Sequence, residues 1–287
     1  MKYQFIADHC KRFRVRSMCR VFGVSASGYY HWRTRQESER GRANRQLLSH
    51  IRAIHAASRH NYGAEKTWRV LCQRGVHCGR HRVARLRREH GIQAQRQRRF
   101  RAGYAARNAA PPAPNLLEQH FSVAAADRVW AGDTTFVATR QGALYLAVVL
   151  DLFSRRVVGW SMSGQHNQQL IMDALEMATE ARQPGPGLIH HSDQGCQYTS
   201  AAYQRLLKTH QMVPSMSRKA NCYDNAVVES FFSNLKNELV HNQLFHSRSE
   251  ARSQIFEYIE VFYNRQRHHQ TLDYTTPVQF EMMAAVA

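Results

Sequence analysis

From residue 128 onward the apolar positions fall into short bursts. RVWAGDTTFVAT (128–139), GALYLAVVLDLFS (142–154) and RVVGWSMSG (156–164) are rich in β-branched and aromatic residues and are separated by short Gly-containing breaks. They predict three strands in an antiparallel meander. The period then changes. QLIMDALEMATEAR (169–182) repeats apolar residues at Leu170, Ile171, Ala174, Leu175 and Ala178, the spacing of one helix face. LIHHSDQG (188–195) reads as a fourth strand ending at Asp193, SAAYQRLLKTHQ (200–211) as a helix and MVPSMS (212–217) as a short fifth strand. Residues 221–240, NCYDNAVVESFFSNLKNELV, read as a helix that carries Glu229.

The first third has helical spacing throughout. In RVRSMCRVFGVSASGYYHW (14–32), Val15, Met18, Cys19 and Phe22 share a face, Gly23 stops the helix, and Ser25 caps a second one through Tyr29, Tyr30 and Trp32. This is the helix-turn-helix outline. A similar unit follows: EKTWRVLCQRG (65–75) with Trp68 and Leu71 inward, then HRVARLRREHG (81–91) with Val83 and Leu86 inward. Residues 95–114, QRQRRFRAGYAARNAAPPAP, have the composition of a linker. The strand and helix order after it, βββαβαβα, is the ribonuclease-H-like topology. The predicted fold class is therefore α/β, a ribonuclease-H-like domain behind an all-α helix-turn-helix region. The expected divisions are 1–44, 45–94, a linker at 95–124, the α/β body at 125–245, and a C-terminal helix with a basic tail at 246–287.

Charge sharpens this division. The chain carries a formal net charge of +19, but residues 1–108 hold 26 Lys and Arg against 5 Asp and Glu, while residues 109–287 hold 14 against 16. So the first third suits a polyanionic partner, and the remainder is near neutral. Arg80, Arg82, Arg85, Arg87 and Arg88 stud the helix after a tight turn, where guanidinium groups can grip phosphates and fork onto guanine edges. A solvated helix face would mix in acids, and here only Glu89 does so. Arg96, Arg98 and Arg99 extend the basic run toward a DNA backbone. His55, His60, Cys72 and Cys78 do not have the spacing of a structural zinc site. The six cysteines form no C-x-x-C pair and are expected to be reduced. The N-terminus has no apolar stretch of a signal peptide, and Ala143–Leu150 is too short to span a bilayer, so an intracellular protein with no membrane association is expected.

Three acids stand out in the body. Asp133 lies in a strand among Val129, Phe136 and Val137, where a lone carboxylate is costly. Asp193, at a strand end, is separated from it by 59 residues, and Glu229 from Asp193 by a further 35. Taken singly, each has an ordinary explanation as a cap, an ion pair or a solvated face. Brought together from two strands and a helix, they form a hard oxygen site for divalent metal, suited to phosphodiester chemistry. Lys236 is seven residues after Glu229, about 20° off the same helix face, where it can reach a phosphate or remain an ordinary exposed lysine. Asp224 is about 140° away from Glu229 and is expected to cap the helix. Asp151 is expected to pair with Arg155 or Arg156. In the C-terminal stretch (247–281), Ile255, Phe256, Ile259, Phe262 and Tyr263 mark an amphipathic helix. Asn264, Arg265, Arg267, His268 and His269 suit either DNA contact or packing against the body.

The blocks W-A-G-D-T-T-F, L-D-L-F-S-R-R-V-V-G-W, H-S-D-Q-G-x-Q-Y-T-S, C-Y-D-N-A-V-V-E-S-F-F-x-x-L-K-x-E and Y-N-x-x-R-x-H occur in order. With them the chain resembles the transposases of bacterial insertion sequences of the IS-three family, relatives of retroviral integrases. Y-G-A and R-V-A-R-L-R-R-E-H-G-I extend the resemblance over nearly the whole chain. It implies a DDE triad of Asp133, Asp193 and Glu229 with two Mg²⁺ ions, Mn²⁺ substituting. It implies double-stranded DNA as partner, a homo-oligomer on that DNA, and an upstream-frame protein or its frameshift fusion as a second partner, all in the bacterial cytoplasm at the nucleoid. The implied activity is metal-dependent 3′-end cleavage and strand transfer. A non-catalytic DNA-binding regulator and a nuclease that only hydrolyses are the alternatives. Gly79 stands where the family often has a capping serine, and Asp273 where it often has glycine.

Overall fold

The computed structural model describes residues 1–36, 38–95, 113–218 and 222–286. Its helical third has two small apolar cores. The first joins α1 (Lys2–His9), α2 (Val15–Val21) and α3 (Ala26–Thr34) around Ile6, Met18, Cys19 and Tyr29. The expected caps are in place, with Gly23 at φ +62° and the Ser25 hydroxyl accepting from the Gly28 N–H at 3.0 Å. The second core joins α4 (Glu39–Ala57), α5 (Ala64–Gln73) and α6 (Arg80–Glu89) around Leu47, Ile51, Ile54, Val70, Leu71, Val83 and Leu86. Two helices, α1 and α4, were not legible in the pattern. In α1 only Ile6 is buried, and in α4 the buried residues Leu47, Leu48, Ile51 and Ile54 occupy only the second half. Gly79 is the N-cap of α6, with no side-chain cap bond.

Five strands form the body: β1 (Val129–Thr139), β2 (Gly142–Asp151), β3 (Val157–Ser163), β4 (Ile189–Ser192) and β5 (Val213–Met216). Their order is β3-β2-β1-β4-β5, with β1, β2 and β3 antiparallel and β4 and β5 parallel to β1. On one face lie α7 (Gln168–Arg182) and α8 (Ala201–Thr209), packed on Trp130, Ala147 and Val149. On the other lie α9 (Ala226–Glu238) and α10 (Arg248–Glu257), packed on Val129, Ala131, Val137, Leu146, Val148 and Leu150. The twofold alternation of the strands thus separates two apolar layers. Gly159 is required by close approach, because a Cβ there would lie 2.2 Å from the Ala174 carbonyl of α7.

Several expectations about charged residues are corrected. Asp151 makes no ion pair with Arg155 or Arg156. It is buried and accepts from the Asp127 N–H at 2.8 Å and the Ser154 N–H at 2.9 Å, while Arg156 reaches Glu281 of α11 (Pro277–Val286) at 2.7 Å. The end of the expected linker lies against the body, with Leu117 buried in its core and Phe121 and Val123 beside it. In the C-terminal stretch packing prevails. Asn264, Arg267 and His269 are buried, and Arg267 pairs with buried Glu238 at 2.9 Å. Asp273 has φ +48°, a left-handed conformation that explains why glycine suits that position. The second helical unit docks on this stretch: the Tyr62 hydroxyl accepts from the His268 N–H at 2.8 Å, and Arg59 pairs with Glu257 at 3.2 Å.

Candidate active site

Strand parity decides which way Asp133 faces. Val129, Ala131 and Val137 of β1 pack toward α9 and α10, and Asp133 is in the same parity. Glu229 sits in the first turn of α9 and Lys236 in its last. Asp193 follows directly on β4, the parallel neighbour of β1. The four groups share one electrostatic environment. Burial pushes the Asp133 carboxyl up to about 8, and the negative charges of Asp193 and Glu229 add to this, while the Thr134 N–H and Lys236 oppose it. That N–H donates to Asp133 Oδ1 at 2.7 Å. Burial also raises Asp193, against a 2.9 Å bond from the Gly195 N–H and the nearby His166. Glu229 is raised by burial, and Lys236 is lowered by burial and held up by Asp133. Both Asp193 and Glu229 retain exposed surface, so the group opens to solvent on one side.

Among the described residues no three His, Cys, Asp or Glu side chains stand close enough to hold a metal ion as they are. The donor set nevertheless fits one. It consists of hard carboxylate oxygens that repel one another at Asp133, and a divalent cation removes that repulsion. Asp224 does not cap α9. Its N-cap is Asn225, and the Asp224 carboxylate instead accepts from the Arg218 backbone at 2.9 Å, Arg218 Nε at 3.1 Å and Asn115 at 3.0 Å. These bonds hold Asp224 well below the usual carboxylate range and bind the turn before α9 to the segment before β1.

The basic helix α6 divides its arginines. Arg80 reaches Glu65 at 3.2 Å, Arg82 reaches Asn44 at 2.8 Å, Arg85 pairs with Glu89 at 3.4 Å, and Arg88 is exposed. Arg87 belongs to the interior. It is buried and donates to Thr67 Oγ1 at 3.0 Å and the Tyr62 carbonyl at 2.8 Å, so it is not available to DNA. Its position between Leu86 and Arg88 hid this, because a long side chain can fill an inward position if its head finds acceptors. Arg96, Arg98 and Arg99 lie outside the described residues. One group near the carboxylates went unnoticed in the sequence, His166, whose partners are all distant along the chain.

A family model described as "Integrase core domain" matches residues 124–222, a second of the same description matches 229–284, and an "HTH-like domain" matches 42–100. With the mixed five-stranded sheet, this makes the chain a DDE polynucleotidyl transferase preceded by a helix-turn-helix-like DNA-binding domain. Among its relatives, the "Transposase InsF for insertion sequence IS3A" of Escherichia coli (strain K12) is 42% identical over 283 residues, 98% of each chain. The "Insertion element IS600 uncharacterized 31 kDa protein" of Shigella sonnei is 43% identical over 263 residues, 92% of this chain and 97% of that one. The chain belongs to the IS3 family of insertion-sequence transposases. A solved structure of the HTLV-2 integrase catalytic core domain in complex with magnesium is similar at 18% identity and a TM-score of 0.43, covering 55% of this chain and 97% of that one. No described helix is long and apolar enough to cross a membrane.

Proposed function

We propose that this transposase cleaves the 3′ ends of its insertion sequence and transfers them to target DNA, with Asp133, Asp193 and Glu229 as ligands of two Mg²⁺ ions for which Mn²⁺ substitutes. The observation that carries this reading is the Asp133 carboxyl, pushed up to about 8 on a central strand with Asp193 and Glu229 as its negative neighbours. An unpaired carboxylate so placed is costly to the fold and needs a cation to offset it. When bound, the ions supply Lewis-acid stabilisation of the charge that develops on the attacked phosphodiester. The Thr134 N–H holds Asp133 in one orientation, and the Gly195 N–H does the same for Asp193. Lys236 on α9 binds a phosphate oxygen beside them. Arg80, Arg82, Arg85 and Arg88 grip the DNA backbone, with Arg96, Arg98 and Arg99 continuing the track. The enzyme works as a homo-oligomer on the element ends, with an upstream-frame protein as partner, at the bacterial nucleoid.

The test uses purified chain, element-end duplex and Mg²⁺ or Mn²⁺. Wild type nicks the end and yields joined products on a gel, and Asp193→Asn yields neither. Strand transfer by Asp193→Asn overturns the ligand assignment. Nicks without joined products identify a nuclease that only hydrolyses.

A further inference from the structure

His166 lies in the turn between β3 and α7, and its hydrogen bonds lead to the two segments that carry Asp133 and Asp193. Its ring stacks on Tyr145 of β2, with centroids 5.0 Å apart and planes 11° from parallel. Its Nε2 is 3.0 Å from Thr134 Oγ1, on the residue whose N–H holds Asp133. Its Nδ1 is 3.3 Å from Gln197 Nε2, in the loop where the Gly195 N–H holds Asp193. That amide nitrogen, which also lies 3.5 Å from Nε2, can only donate, while the Gln197 Oε1 accepts from Cys196 Sγ at 3.3 Å. With Nδ1, the nearer ring nitrogen, accepting from Gln197, Nε2–H donates to Thr134 Oγ1. The ring is exposed, so burial does not explain its fixed orientation; the stack and the two hydrogen bonds do.

We propose that His166 is a positioning residue that ties the Asp133 strand to the Asp193 loop and so sets the spacing of the two carboxylates. It rests on the reading of Asp133 and Asp193 as metal ligands. The parallel backbone pairing of β1 with β4, Val129–Ala131 against Ile189–His191, ends before either aspartate. Beyond that pairing, nothing in the backbone ladder holds Asp193 at a set distance from Asp133. The imidazole spans this opening with one donor and one acceptor. Groups that orient metal ligands typically change metal affinity by roughly 10–100-fold when lost.

The experiment measures Mn²⁺ binding to the full chain by calorimetry, with the fold checked by circular dichroism and thermal midpoint without metal. His166→Ala is expected to bind Mn²⁺ roughly 10–100-fold more weakly at an unchanged midpoint. His166→Gln, which keeps a donor and an acceptor, recovers most of the affinity. His166→Phe keeps the stack alone and stays weak, and it carries the comparison if His166→Ala does not fold. Folded His166→Ala and His166→Phe that bind Mn²⁺ as wild type, while Asp193→Asn does not, overturn the positioning role alone. Asp193→Asn binding as tightly as wild type overturns the ligand reading beneath it.

Discussion

The two halves of this transposase handle charge in opposite ways. In the basic third the cations are numerous, mostly exposed and matched by few acids. The partners that exist, Glu65 for Arg80 and Glu89 for Arg85, sit at the surface, where such pairs contribute little. In the body the two signs are nearly balanced, and some charges are buried or half-buried in matched sets: Glu238 with Arg267, and Arg182 with both Asp127 and Glu281. Each region also holds an exception. Arg87 is a buried cation in the helical third, satisfied by neutral oxygens. Asp133 is a desolvated carboxyl in the body, with the negative charges of Asp193 and Glu229 as neighbours. The contrast teaches that total charge points to the DNA-binding third, whereas chemistry is marked by a desolvated carboxyl whose neighbours include further carboxylates.

Breaking the matched set should have the largest effect. Glu238→Ala leaves Arg267 buried without its anion and is expected to destabilise the fold by about 3–5 kcal/mol, read from chemical denaturation. Arg87→Ala removes two buried hydrogen bonds and the packing of the side chain, and should cost the helical unit about 2–3 kcal/mol. A loss of DNA affinity with no change in stability would return Arg87 to the interface. Asp133→Asn should stabilise the metal-free protein while abolishing its activity. The folded carboxyl titrates near 8 and the unfolded one in the ordinary range, so the folded state holds a proton that the unfolded state has released. Wild-type stability therefore falls as pH rises through that window. The advantage of the variant should be absent near pH 4 and reach on the order of 1–2 kcal/mol by pH 8, allowing for solvent screening. Smallest of all, Arg88→Ala should leave the thermal midpoint unchanged, weaken DNA binding across all sequences, and lower the salt slope by about 1.

Much of the fold was legible because strand and helix periods are local. The meander, the two later strands and the helices between them follow from alternation and from the 3.6-residue repeat. Helices α1 and α4 were lost where a single apolar residue or half a helix face carries the burial. The three acids were legible as a set, since their spacing along the chain marks strand, strand end and helix. Partnerships were less so. Asp151 stands near Arg155 and Arg156 in sequence, yet its carboxylate accepts from Asp127 and Ser154, and the Arg156 side chain finds Glu281 125 residues on. His166 gave no signal, because Thr134, Tyr145 and Gln197 reach it only through the folded sheet.

The sequence by itself determined most of the elements, the parity that turns Asp133 toward α9, and the spacing of Asp133, Asp193 and Glu229. Tertiary structure decided which charges are paired, which arginine of α6 is lost to the interior, and why the Asp133 carboxyl titrates near 8. The reason is one of range. Backbone geometry repeats over a few residues and leaves its period in the chain. The energy of a charge depends on what surrounds it in space, and those neighbours come from segments far apart along it.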